Sequence, residues 1–437
     1  MIDNPLAVHV ISLGCPKNRV DTEFLLGALG PIRLVPSPHE ADLILVNTCA
    51  FIQPAVEESL STIMDLSQDL VDLSPRPVLA VVGCLVDRYR QELQADLAEA
   101  DILLPIRNYA SWPHVLNRTL GRTQIQPLPS ARLLEPPLGS AYLKIAEGCD
   151  NSCAFCTIPS IRGRLRSRTV SSLVNESRML LDQGAREIVL VAQDLTAYGR
   201  DLGPDNTLPC LIDGLQSLPG LEWIRLMYLY PSGLDRELLD FLAGCGPTLL
   251  PYFDIPFQHS HPDILKGMGR PFRTDPRAVV ERIRSRFPDA ALRTTLITGY
   301  PGEKPSHFKD LLRFVEETKF HHVGVFPFWP EQGTRAAELP DQVGPRTKNR
   351  RRDEIMALQA EISASILAPL EGQIIEVLVD RIQGEWPGLH VGRTWFQAPE
   401  VDGVVYVSGP GVQPGTMIKA MVEEAQTYDL VALAGEG

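Results

Sequence analysis

Cys149, Cys153 and Cys156 lie in the run Glu147-Gly-Cys-Asp-Asn-Ser-Cys-Ala-Phe-Cys156, a C-x3-C-x2-C spacing. Three thiolates on one short loop can ligate three irons of a 4Fe–4S cluster and leave the fourth iron open, as a catalytic cluster requires. A zinc reading needs a fourth protein ligand, and the nearest histidine in sequence, His114, is distant. Three further cysteines repeat one another's setting: Ser12-Leu-Gly-Cys15, Val46-Asn-Thr-Cys49 and Val81-Val-Gly-Cys84. Each follows a strand-like run. In a parallel sheet such ends share one edge, so these thiolates are expected to converge and could hold a second cluster, again with one iron unsatisfied. The plainer alternative is three buried core cysteines. Cys210 and Cys245 have no such setting and read as structural.

The elements that must position these residues alternate along the chain. Runs 7–13, 41–46 and 78–82 are strand-like, while 18–29, 55–66 and 89–98 are helix-like, which predicts a parallel α/β sheet over 5–120. Residues 121–140 carry Pro127, Pro129, Pro136 and Pro137 without periodicity and read as a linker. From 141 to 370 six strand-like runs (142–146, 187–192, 223–228, 252–255, 291–297 and 322–326) predict an open or partial (β/α) barrel, with chemistry at the C-terminal ends of its strands. A helix over 348–367 closes it, with Ile355, Leu358, Ile362 and Ile366 on one face. Over 371–437 short β-type runs at 374–379, 403–407 and 417–422, broken by Gly and Pro, predict a small antiparallel β-barrel.

Bulk properties narrow the function classes. The 437 residues are 44% hydrophobic and 22% charged, enough for two or three ordinary cores. A formal net charge of −13 argues against a protein that coats phosphate backbones. No run approaches the ~18 apolar residues of a membrane span and no basic-apolar leader opens the chain, so a soluble, cytoplasmic protein is expected, with eight cysteines kept as thiols.

With an aromatic before its last cysteine, the triad resembles the radical S-adenosylmethionine superfamily. The resemblance implies that methionine amino and carboxyl groups chelate the open iron, and that one-electron cleavage gives a 5′-deoxyadenosyl radical. It also implies Phe155 beside the adenine, with Gln193 and the Thr298-Gly-Tyr-Pro-Gly-Glu303 turn (Gly299, Gly302 and Glu303) holding nucleoside and methionine. Two half-open clusters together resemble the methylthiotransferases, which replace a carbon-bound hydrogen by a methylthio group. That resemblance covers nearly the whole chain. It implies two 4Fe–4S clusters, two S-adenosylmethionine molecules used as methyl donor and radical source, an electron donor such as a flavodoxin or ferredoxin, and a monomer.

Substrate choice lies between an adenosine in transfer RNA and an aspartate in a ribosomal protein. Ser12-Leu-Gly-Cys-Pro-Lys-Asn18, Cys156-Thr-Ile-Pro-Ser-Ile-Arg-Gly163 and Gln397-Ala-Pro-Glu-Val-Asp-Gly403 are similar to the branch that forms β-methylthioaspartate on small-subunit ribosomal protein S-twelve; Gln397 stands where that branch commonly has aspartate. The C-terminal segment resembles the substrate-binding module called TRAM. It has ten acidic and three basic side chains, a net −7, which suits a basic protein better than RNA. The basic run Lys348, Arg350, Arg351 and Arg352 points the other way, although a solvated face paired with Asp353 and Glu354 accounts for it. His259 and His261 follow a strand and could approach the active site. A non-enzymatic iron–sulfur carrier is the reading from another class.

Overall fold

The computed structural model describes residues 5–121, 132, 139–271, 273, 275–384, 386 and 388–435. The expected linker lies mostly outside them. Two compact units divide the chain: residues 1–134 with 147–151 and 156–164, and residues 135–146 and 152–155 with 165–437. This division differs from the expected segments in two ways. The C-terminal barrel counts with the central sheet, and the triad loop is shared, with Cys149 and Cys156 in the first unit and Cys153 in the second.

In the first unit, β1 (Leu6–Ser12), β2 (Ile32–Leu34), β3 (Leu43–Thr48), β4 (Val78–Gly83) and β5 (Ile102–Pro105) form a parallel sheet in the order β2-β1-β3-β4-β5. Its alternating side chains feed two cores. Ile44, Val46, Leu79 and Val81 pack on one face, and Leu43, Leu45, Ala80 and Val82 on the other. Strand order reverses between β1 and β3, and the crevice at such a switch point, beyond the carboxyl ends of the strands, is where doubly wound sheets bind ligands.

In the second unit, β6 (Ser140–Lys144), β7 (Glu187–Val191), β8 (Trp223–Leu226), β9 (Leu249–Asp254), β10 (Ala291–Thr298) and β11 (His322–Pro327) pair in parallel and in sequential order, the open (β/α) arrangement expected. The helix Pro345–Leu367 follows. Then β12 (Ile374–Ile382), β13 (His390–Arg393), β14 (Val405–Ser408), β15 (Met417–Ala425) and β16 (Leu430–Ala434) close a five-stranded barrel. Its pairings are antiparallel except that of β14 with β16, which is parallel.

The barrel is fastened to the open sheet by buried charge, which is why both fall in one unit. Arg393 pairs with Glu187 at 2.8 Å and Arg225 pairs with the same carboxylate at 2.6 Å. Asp402 accepts from the Tyr252 hydroxyl at 2.6 Å and from Arg293 Nε at 3.1 Å, and lies 3.5 Å from His322. The stretch Gln397 to Gly403 thus works inside the molecule: Gln397 is fully buried, its Oε1 accepting from Thr394 N–H, while Ala398 N–H donates to Asp402. No helix among the described residues is long and apolar enough to cross a membrane.

Candidate metal centre and cofactor turn

The sheet register sets the first group of thiols. Ser12 of β1 stands opposite Asn47 of β3, and Thr48 opposite Gly83 of β4, so the three carboxyl ends are level. Cys15 then opens the helix Pro16–Ala28, Cys49 follows β3 directly, and Cys84 opens the short helix Cys84–Arg88. The glycines ahead of Cys15 and Cys84 are both left-handed, with φ of +106° and +104°. A Cβ on Gly14 would lie 2.9 Å from Cys49 Cβ, and one on Gly83 would lie 2.5 Å from Asn47 Oδ1, so only glycine lets the loops close this tightly.

Asn18 knits the edge together. Its Nδ2 donates to Asn47 Oδ1 at 3.1 Å and to Thr48 O at 2.8 Å. Its Oδ1 lies 3.4 Å from Cys15 Sγ and 4.0 Å from Cys84 Sγ, and accepts from Arg162 Nη2 at 2.7 Å. Asn47 returns the support, donating to Asn18 O and Thr22 Oγ1 at 2.7 Å each. Every polar atom in this web is matched, as burial demands.

The three thiols titrate unlike one another. Burial works to raise Cys15, but the charges of Lys17 and Arg162 outweigh it and hold the thiol below its ordinary value. Burial dominates at Cys49 and raises it, and at Cys84 it pushes the thiol up to about 12 against the pull of Arg162. Ligands must be deprotonated to bind a metal, so loading such a site releases protons.

The triad follows β6 and is half-buried at all three thiols. In the first unit Cys149 N–H donates to Gly163 O at 3.1 Å, Asn151 Nδ2 approaches Cys149 Sγ to 3.4 Å, and Gly148 takes φ +75° where a Cβ would strike Arg164 O. In the second unit Ala154 N–H donates to Met268 O at 2.8 Å, and Arg270 Nη1 lies 3.8 Å from Cys153 Sγ. Arg270 also sits over the Tyr230 ring, 4.1 Å from its centroid.

Of the residues expected around S-adenosylmethionine, Phe155 packs at the rim of an apolar cluster with Ile264, Met268, Tyr300 and Phe328, and Gln193 follows β7, half-buried. Gly299 and Gly302 take φ of +71° and +78°. Glu303 differs from expectation. Its carboxylate accepts from Gly299 N–H at 2.7 Å, Tyr300 N–H at 3.3 Å and Arg351 Nη1 at 2.7 Å. So engaged, it shapes the turn and does not reach outward to a ligand. Burial raises its pKa, against Arg351 and the two N–H groups.

The basic run departs from a uniformly solvated face. Arg352 pairs with Asp353 at 2.7 Å as expected, but Arg351 turns in to Glu303 and Lys348 Nζ donates to Phe328 O at 2.7 Å. Two of its four cations therefore serve the interior. His259 is fully buried, its Nδ1 accepting from Ser260 and His261 N–H at 2.9 Å each, so it organises its own loop. Cys210 is exposed near the start of the helix Leu208–Gln216, hydrogen-bonded to Thr207, and Cys245 caps the helix Arg236–Gly244. Sequence reasoning gave no role to Arg162, Asn47 or Asp402, although all three lie in stretches it singled out.

An open parallel sheet with a C-x3-C-x2-C loop after its first strand, joined to a small closed barrel, defines a radical S-adenosylmethionine enzyme with a TRAM module. Family profiles agree: residues 143–315 match the radical SAM superfamily, 372–434 the TRAM domain, and 7–105 an uncharacterized protein family, UPF0004. Curated relatives named ribosomal protein uS12 methylthiotransferase RimO are similar over the full length. The one from Nitratidesulfovibrio vulgaris (strain Hildenborough) is 56% identical, covering 98% of this chain and 100% of its own, and that of Aquifex aeolicus is 43% identical over 97% and 96%. The chain belongs to the RimO family of radical SAM methylthiotransferases. Among solved structures, the radical S-adenosylmethionine methyltransferase TsrM from Kitasatospora setae, with cobalamin and a 4Fe–4S cluster bound, shares the fold at TM-score 0.52 and 14% identity, over 89% of this chain and 81% of that one.

Proposed function

We propose that this enzyme adds a methylthio group to the β-carbon of an aspartate in ribosomal protein uS12, with Cys149, Cys153 and Cys156 holding one 4Fe–4S cluster and Cys15, Cys49 and Cys84 a second. The observation that carries the reading is the level sheet edge that ends in Cys15, Cys49 and Cys84, the first and last of them against Asn18, in a chain that also bears the triad. Two sets of three soft sulfur donors suit iron–sulfur clusters with one iron open. The close-fitting glycines at 14 and 83 leave the thiols room to turn toward a common centre.

With S-adenosylmethionine bound, the triad cluster supplies one-electron cleavage of the sulfonium, the chemistry by which a C–H bond too weakly acidic for a base can be opened. The chain's own residues position and shield. Arg162 and the backbone N–H of Asn18 compensate thiolate charge at Cys15, Arg270 does so beside Cys153, and the Gly299 to Glu303 turn, fixed by Arg351, is the place for the methionine and nucleoside. Residues 5–120 are read as the second-cluster domain, 141–370 as the radical core and 371–437 as the substrate-binding barrel. The last carries net −7, which suits a basic ribosomal protein, and the inward-turned Lys348 and Arg351 remove half of the feature that had favoured RNA. A flavodoxin or ferredoxin would donate electrons.

Mass spectrometry of ribosomal proteins and transfer RNA from a deletion strain tests the substrate. Loss of the aspartate modification on uS12 is expected; an intact uS12 beside unmodified RNA would overturn the assignment. Reduced, reconstituted protein should release 5′-deoxyadenosine and methionine, and full cluster occupancy without cleavage would indicate a carrier.

A further inference from the structure

We propose that Arg162 is the fixed counter-charge of the Cys15, Cys49 and Cys84 iron site, a positioning residue delivered by the same segment that ends the cysteine triad. The inference rests on the reading of these three thiols as cluster ligands. Arg162 closes the short helix Ile158–Arg162, six residues after Cys156, yet its side chain is only 1% exposed in the first unit. Its guanidinium is held on every side. Nη1 donates to both oxygens of Glu147 at 2.9 and 3.0 Å and meets Asp21 at 3.3 Å; Nη2 donates to Asn18 Oδ1 at 2.7 Å. Asn18 Oδ1, which Nη2 grips, itself lies 3.4 Å from Cys15 Sγ and 4.0 Å from Cys84 Sγ, so the guanidinium stands beside these thiols, and its charge pulls on Cys15, Cys49 and Cys84.

The helix that carries it is anchored independently. Ile161 is fully buried in the core with Val46, Val81 and Leu85, and Arg107 Nε donates to Ile161 O at 3.0 Å. Such anchoring has a reason. A buried guanidinium is costly unless each N–H is met, and its planar fork, unlike an ammonium, can satisfy two carboxylates and an amide while still facing sulfur. Three thiolates on one sheet edge repel one another, and a cation that cannot move away lowers that repulsion. Charge and hydrogen bonding at the sulfurs also set a cluster's potential, and a fixed positive charge favours the more negative, reduced state.

The test uses full-length protein with Cys149, Cys153 and Cys156 changed to Ala, so that only the N-terminal site can hold iron. Iron and sulfide analysis, thermal melting of the apo form and an EPR-monitored redox titration are compared for this parent, its Arg162→Gln form and its Arg162→Lys form. A parent that retains about half the wild-type iron supports the two-cluster reading; a parent without iron overturns that reading and the proposal with it. Given a loaded parent, Arg162→Gln should shift the midpoint potential to more negative values or lose iron, and Arg162→Lys should restore part of either effect. Unchanged iron and potential in Arg162→Gln would overturn the role of Arg162. So would equal loss of iron in both variants together with equal lowering of the apo melting temperature, because that pattern marks a packing residue.

Discussion

His259 shows what burial does to a titratable side chain that sequence alone offers as an active-site candidate. With Nδ1 accepting two backbone N–H groups and no exposed surface, it is held neutral, and burial, followed by the charges of His261, His307 and Arg351, pushes its pKa down to about 3. The unfolded chain takes up the proton near the ordinary value of about 6.5, so stability from this group is full above that pH and is lost as pH falls from 6.5 toward 3. An apparent melting temperature that falls with pH below 6.5 is expected, with a shallower slope in His259→Asn, whose Oδ1 can accept the same two N–H groups; equal slopes would refute the assignment. The cysteines were legible because chemistry constrains their spacing. Arg162 was not. It sits in Arg162-Gly-Arg-Leu-Arg166-Ser-Arg168, a run that looks like a solvated cationic stretch until tertiary structure buries one member against Asp21 and Glu147.

At the scale of elements, periodicity found the fully buried strands and the helices near 16–28, 53–69 and 345–367, but it named neither Val170–Asp182 nor Pro305–Thr318 and passed over β2, β5, β13 and β16, each of three to five residues, too short for a pattern to register. It also misjudged the working face of the helix Pro345–Leu367. Ile355 and Ile362 are buried as expected, but Lys348, Arg351 and Gln359 share the inward side, each with a polar partner across the gap. A charged residue on an inner face hides the apolar stripe that a sequence reader seeks. Arg351→Met should therefore destabilise the protein by about 3–5 kcal/mol, because it leaves the Glu303 carboxylate buried without its cation. Adding Glu303→Gln should recover much of that loss in thermal melts, and an additive double variant would count against the pairing.

For the whole molecule, the succession of a parallel sheet, a radical core and a small barrel could be read from sequence, since each segment keeps its own periodicity. What could not be read is that barrel and core form one unit, because the fastening relies on contacts more than a hundred residues apart, such as Tyr252 with Asp402 and Glu187 with Arg393. Removing both anchors, with Arg393→Met and Asp402→Ala together, should split a shared calorimetric transition of core and barrel into two. A single unaltered transition would show that apolar packing alone holds the barrel.

Those anchors sit largely toward the amino ends of the strands: Glu187 begins β7 and His322 begins β11. Radical chemistry is expected at the opposite, carboxyl ends. The joint between barrel and sheet and the expected reaction thus lie on different rims of one scaffold. Any attempt to transplant a foreign barrel onto this core would have to carry Arg393 and the loop through Asp402 along with it, since the joint, and not the surface, is what the core recognises.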